Sequence, residues 1–173
     1  TILVDQSLTG LLVGQTLHTK PEEIYRALVE ATAFGALTII NRFEEYGVKV
    51  AEVINCGGIA EKNPLLMQIY ADVTGREMKI SRSAQTCALG SAIAGSVVAG
   101  RQAGGYDSVP EAQAAMCGFK KTTFKPFPEN QQVYQQLYSL YKQLHDAFGE
   151  ESYSGKMANI MKDLLSIKDK AKA

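Results

Sequence analysis

The chain has 173 residues, 46% hydrophobic and 21% charged, with 18 basic residues against 18 acidic and a formal net charge of zero. That length holds one domain with a real core, while the charge balance and the lack of any basic block interleaved with aromatics exclude broad capture of nucleic acid or of an anionic membrane. No apolar run approaches the ~20 residues that span a bilayer, and three scattered cysteines (Cys56, Cys87, Cys117) without a C-x-x-C pair fit a reducing cytoplasm rather than a disulfide framework or a zinc site.

Residues 1–18 carry short apolar groups, among them Ile2-Leu3-Val4 and Leu11-Leu12-Val13, broken by Gly10 and Gly14, and read as loop with at most a short strand. Thr19-Lys20-Pro21-Glu22 predicts a capping box with Thr19 as N-cap and Glu22 at N3. Ile24, Ala27, Leu28, Ala31, Phe34, Leu37 and Phe43 follow at helical spacing, so a long helix is expected over 20–46, stopped by Gly47. Val50 to Ile54 predicts a strand that runs into Gly57-Gly58. Asn63 is a good N-cap with Pro64 at N1, opening a helix through Leu65, Leu66, Ile69, Tyr70 and Val73 to Gly75.

Glu77 to Ile80 predicts a second strand and Ser81 to Thr86 a polar loop. A helix rich in small residues starts at Ala88 and ends at Gly100. Gly104-Gly105 and Pro110 mark a linker, and Ser108 can cap a short helix to Met116. Phe119 to Phe127 reads as an extended, partly basic segment. Pro128 opens a helix with Val133, Leu137, Leu140, Tyr141, Leu144 and Phe148 on one face. After a break at 149–155, Met157, Ile160, Met161, Leu164, Leu165 and Ile167 form a last amphipathic stretch with a fraying lysine-rich end. This order predicts α/β packing. Two strands make a poor sheet alone, and the chain starts on Thr1 rather than Met, so it is expected to be a cut through something longer.

Gly57-Gly58-Ile59-Ala60-Glu61-Lys62-Asn63-Pro64-Leu65-Leu66-Met67-Gln68-Ile69-Tyr70-Ala71-Asp72 resembles the second signature of the FGGY carbohydrate kinases. The spacing to Cys87-Ala88-Leu89-Gly90-Ser91-Ala92 is similar to that family too. So are Asp5, Thr9-Gly10 and Gly14-Gln15-Thr16-Leu17, which resemble the loop before its long helix. Glu22 to Gly35 and Ile80 to Gly90 look most like its bacterial members that act on L-ribulose. The resemblance implies one part of a two-lobed, ribonuclease-H-like architecture of the actin and hexokinase type. The chain would be a partial, helix-rich ATPase lobe over 1–148 with a helical C-terminal tail over 149–173. It further implies transfer of the γ-phosphoryl of ATP, with Mg2+, to the terminal hydroxyl of L-ribulose, giving L-ribulose 5-phosphate in L-arabinose breakdown. The catalytic Asp, the sugar-binding residues and the magnesium ligands would lie outside this chain, in the missing portion.

What the resemblance leaves here is part of an adenosine site. Gly57 and Gly58 would let backbone approach the α-phosphate and ribose, and Lys62 and Asn63 would sit beside the adenine or its sugar. Each has a plainer reading: a tight turn for the glycines, a solvated lysine for Lys62 and a helix N-cap for Asn63. Gly90 is read as helix packing. Cys56 is read as a small buried hydrophobe, His18 as lacking a nearby acid or nucleophile, His145 as lying on a polar helix face, and Tyr134, Tyr138 and Tyr141 as a core or interface stripe. Other readings are a non-catalytic nucleotide-binding or interaction module, or a family member acting on xylulose or glycerol. An incomplete lobe would expose apolar surface, so self-association is expected.

Overall fold

The computed structural model describes residues 8–172, so the expectations for Asp5 and for Ile2-Leu3-Val4 lie outside the described residues. In chain order the elements are α1 (Pro21–Glu45), β1 (Glu52–Asn55), α2 (Gly58–Lys62), α3 (Pro64–Thr74), β2 (Glu77–Ser81), α4 (Thr86–Ala99), α5 (Val109–Met116), β3 (Phe119–Phe124), α6 (Pro128–Gly149) and α7 (Ile160–Lys172), with a 3-10 turn at Arg101–Ala103. They divide into two compact units. One holds the residues up to Val50, Asp72–Gly75 and those from Pro126 onward; the other holds Ala51–Ala71 and Arg76–Lys125.

In the first unit α1 begins one residue later than the sequence predicts. The N-cap is Lys20, extended at φ −95° and ψ 155°, because a residue before proline is pushed out of the helical region. Glu23 Oε2 accepts from the Lys20 N–H at 2.8 Å. Thr19, the expected cap, instead accepts from the Thr16 N–H at 2.8 Å. Phe34 is the centre of the core. Its ring lies 6.2 Å from Tyr134, 6.0 Å from Tyr138 and 5.3 Å from Tyr141, so the tyrosine stripe of α6 is core, as its spacing suggests. The phenol ends of Tyr134 and Tyr138 are satisfied by α1. Tyr134 donates to Glu30 Oε1 at 2.8 Å and accepts from Arg26 Nη2 at 3.1 Å, and Asn41 Nδ2 donates to the Tyr138 hydroxyl at 3.3 Å. Buried Asp72 anchors the start of α6, accepting from Phe127 N and Asn130 Nδ2 at 2.8 Å each.

Two expectations for this unit need correction. His145 is half-buried rather than on a polar face, with Nδ1 3.1 Å from Asp146 Oδ1 and its ring 6.0 Å from Tyr141. The lysine-rich end is helical through Lys172, since α7 has an apolar face whose Ile160 is buried and tertiary packing stabilises a helix that propensity alone would leave frayed.

The second unit is a three-stranded sheet in the order β1-β2-β3. β1 and β2 are parallel, with Val53 opposite Met78 and Asn55 opposite Ile80. β3 is antiparallel to β2, with Met78 opposite Phe124 and a register shift between Lys79 and Ser81. The third strand corrects the expectation of two. Phe-Lys-Lys-Thr-Thr-Phe carries too few buried positions to announce itself, and its pairing is set by β2. Met78 and Ile80 alternate onto one face of β2 and pack with Ala60, Met67 and Ala71 of the α2–α3 crossover. The expected linker after Gly100 folds back on α4, with Gly105 N and Tyr106 N donating to the carbonyls of Gly100 and Ser96 at 2.8 and 3.0 Å. Ser108 caps α5 as expected, accepting from Glu111 N at 3.4 Å.

Burial first, then the charge of Glu30, pushes the Tyr134 phenol up to about 12. A phenol whose folded pKa lies above its unfolded value of about 10 contributes stability that is complete below pH 10 and is lost as pH rises toward 12. In urea titrations between pH 9 and 12, wild type should therefore lose more stability than Tyr134→Phe. Parallel curves for the two proteins would contradict this.

Candidate functional site

The site is built where two parallel strands end. Strands that run in parallel deliver their following loops to the same sheet edge, and open α/β sheets bind ligands there. β1 hands on to Cys56, Gly57 and α2, while β2 hands on to Arg82–Gln85 and the first turn of α4.

Gly57 sits at φ 88° and ψ 171°, a region essentially restricted to glycine. The expected plain turn is therefore more specific: Gly57 reverses the chain and Gly58 starts a five-residue helix that periodicity does not reveal. A Cβ built on Gly57 or Gly58 would meet nothing within 4 Å. The backbone of both glycines is thus bare on a side open to approach, rather than packed under side chains.

The short helix has two faces. Ala60 is 7% exposed and enters the core, and Glu61 pairs with Lys120 of β3 at 2.9 Å. Gly58, Ile59 and Lys62 face outward, Ile59 at 68% exposure. Lys62 makes no ion pair among the described residues. Asn63 closes α2, donating its N–H to Ile59 O at 3.0 Å. Its Oδ1 then accepts from Leu66 N at 3.0 Å, so it is the N-cap of α3. The capping oxygen is committed, which leaves the Nδ2 donors outside the cap.

The other loop, expected from the sequence as polar, is tied to the start of β3. Arg82 N donates to Gly118 O at 2.8 Å, and its Nη2 donates to the carbonyls of Met116 and Cys117 at 3.3 Å each. α4 opens behind Gln85 with no side-chain cap, so its first-turn N–H groups present positive partial charge at the same sheet edge. The signal that could have found this loop and Ile59 was the parallel strand order, which makes both post-strand loops neighbours.

All three cysteines are free and exposed. This corrects the reading of Cys56 as buried: along β1 the burial alternates, with Ile54 and Cys56 on the open side. Among the described residues no group of three or more His, Cys, Asp or Glu side chains is arranged to hold a metal ion.

This geometry can receive a flat or phosphate-bearing ligand on main chain, with an ammonium and an amide beside it. Among the described residues it offers no nucleophile paired to a base. Residues 1–99 match the model of the FGGY family of carbohydrate kinases, C-terminal domain. The chain is 55% identical to the ribulokinase of Bacillus licheniformis over 167 residues, covering 96% of this chain and 29% of that protein. It is 53% identical to the ribulokinase of Geobacillus thermodenitrificans over 172 residues, covering 99% of this chain and 30% of that protein. The chain thus spans about three-tenths of the length of the curated relatives it matches. Its fold is similar to that of xylulose kinase from Rhodospirillum rubrum, with a TM-score of 0.70 at 22% identity over 83% of this chain and 28% of that one.

Two substitutions probe the local geometry. Gly57→Ala should cost about 1–3 kcal/mol, because alanine must adopt a backbone state that only glycine reaches freely. Asn63→Ala should cost about 1 kcal/mol through loss of the cap. Urea unfolding of each variant measures both, and wild-type stability in Gly57→Ala would show that the turn tolerates a side chain.

Proposed function

The chain belongs to the FGGY family of carbohydrate kinases, and from that membership we propose that it is the nucleotide-binding, ATP-side portion of a bacterial L-ribulokinase. The intact enzyme transfers the γ-phosphoryl of ATP to L-ribulose and forms L-ribulose 5-phosphate in the cytoplasmic breakdown of L-arabinose. The reading rests on ribulokinases at 55% and 53% identity over nearly the whole chain. In it, residues 1–148 are part of the kinase lobe and 149–173 a helical tail.

The observation that carries the nucleotide role is the open approach to Gly57 and Gly58 at the end of a parallel strand. Bare backbone there would meet the α-phosphate and ribose of ATP. Lys62, a point cation, would sit beside the adenine or its sugar. Asn63 would turn its Nδ2 donors toward the adenosine while its Oδ1 holds the helix. Phosphoryl transfer also needs a carboxylate to take the hydroxyl proton and a magnesium ion to bridge phosphates. Asp72 cannot be that base, because it is buried and accepts hydrogen bonds from Phe127 and Asn130. The base, the Mg2+ ligands and the contacts to L-ribulose are assigned to the remaining length of the kinase.

The surface of α4 supports this division. The helix is apolar along most of its length, yet among its residues only Ile93 is buried and Val98 is 89% exposed. An apolar helix of that kind is ordinarily covered. With Ile54, Ile59 and Leu65 also half exposed or more, the chain by itself is expected to self-associate through this surface.

Calorimetric titration with ATP tests the reading. Wild type should bind, and Gly58→Val should weaken binding at least about tenfold, a loss of ~1.4 kcal/mol. It should do so with little change in stability, since its side chain enters open space. Equal affinity in the two proteins would sink the nucleotide shelf. The chain alone, given L-ribulose and ATP, should show no enzyme-like release of ADP.

A further inference from the structure

Both loops of the candidate site are tied to one short stretch of chain, residues 116–120, where α5 passes into β3. The first tie is ionic. Lys120 Nζ lies 2.9 Å from Glu61 Oε1, with side-chain exposures of 38% and 20%. Glu61 sits on the inward face of α2, next to buried Ala60. A helix of five residues is far too short to persist on its own hydrogen bonds, so α2 keeps its place through tertiary anchors. The anchors in evidence are the Ala60 methyl, the Asn63 junction and this ion pair.

The second tie is planar. The Arg82 guanidinium bonds the carbonyls of Met116 and Cys117 and lies over Gly118, where a Cβ would stand 3.1 Å from its central carbon. The glycine lets the guanidinium come that close. The α5–β3 turn thereby holds the start of the β2–α4 loop, while the first residues of β3 hold α2.

Resting on the nucleotide reading above, we propose that Lys120 is a positioning residue of the site: it touches no ligand, and through Glu61 it fixes the height and tilt of the α2 backbone that a nucleotide would contact. Lys120 carries this role because the pair is partly screened from water and joins two different elements, unlike the exposed pairs within single helices, which contribute little. Charge and reach both matter. An arginine can replace the cation, and a methionine keeps the apolar stem but loses the charge.

Hydrogen–deuterium exchange over residues 57–62, read by mass spectrometry on the whole chain, tests the pin without any ligand. ATP calorimetry on the same proteins tests its consequence. In Lys120→Met, exchange over 57–62 should rise at least about threefold, with α1 unchanged, and the ATP dissociation constant should rise about two- to fivefold, the range of a partly exposed ion pair. Lys120→Arg and the swapped double variant Glu61→Lys/Lys120→Glu should recover both. Unchanged exchange in Lys120→Met overturns the proposal, as does loosened exchange with unaltered ATP affinity. Failure of the double variant to recover would assign the effect to packing rather than to the pair and also overturn it. A wild type that binds no ATP overturns the nucleotide reading instead, and the exchange data then decide the pin by themselves.

Discussion

The parallel pairing of β1 with β2 is the constraint from which the candidate site follows. A parallel pair needs a crossover, here α2 and α3, and that crossover must be sealed against the sheet to exist. Met67 and Met78, each 1% exposed, with Ala71 and Ile80, form the seal. Methionine suits the position because its unbranched side chain fills the irregular space between a helix and a twisted sheet. Once the pair is closed, the residues after Asn55 and those after Ser81 have no choice of edge. They emerge side by side, so the glycine turn and the uncapped start of α4 become neighbours although they are distant in sequence.

Within that frame, α2 is a compromise between exposure and attachment. Its outward face carries an open glycine, a bare isoleucine and a lysine, a combination that stabilises nothing by itself. Its inward face is only an alanine methyl and one carboxylate. Asn63 reconciles the two by ending one helix and starting the next within a single residue. This explains why one residue can be at once a structural cap and a site candidate: the carbonyl oxygen serves the fold and the amide nitrogen takes no part in the cap. The opposition between a cap and a ligand contact, which the sequence leaves open, is between two ends of the same side chain.

The first unit follows different physics. Its core is aromatic, Phe34 set among three tyrosines, and buried phenols need partners. Arg26, Glu30, Thr38 and Asn41 of α1 supply those of Tyr134 and Tyr138, so the polar residues of that helix are spaced to meet these two hydroxyls of α6. The cost appears in the ionisation of Tyr134, whose charged form would face Glu30 in a partly desolvated site.

Apart from α2, the helices were legible in the sequence because their signals are local: Pro21, Pro64 and Pro128 mark starts, Gly47, Gly75 and Gly100 mark ends, and apolar residues at helical spacing mark the faces between. Gly57, Gly58 and Asn63 were legible for the same reason, through one contiguous motif. Other features depend on contacts between distant residues, and no local pattern encodes them. The Lys20 cap turned on the steric demand of the following proline, which outweighed the better capping chemistry of Thr19. β3 exists as a strand because β2 offers it hydrogen bonds, not because Phe119 to Phe124 alternates cleanly. The exposure of Cys56 depends on which face of β1 the crossover covers. The sequence by itself determined the longer helices, the first two strands and the motif, since backbone stereochemistry acts over a few residues. Only the tertiary structure decided the sheet order, the delivery of the two loops to one sheet edge and the Glu61–Lys120 tie, since these arise when segments far apart in sequence bury common surface.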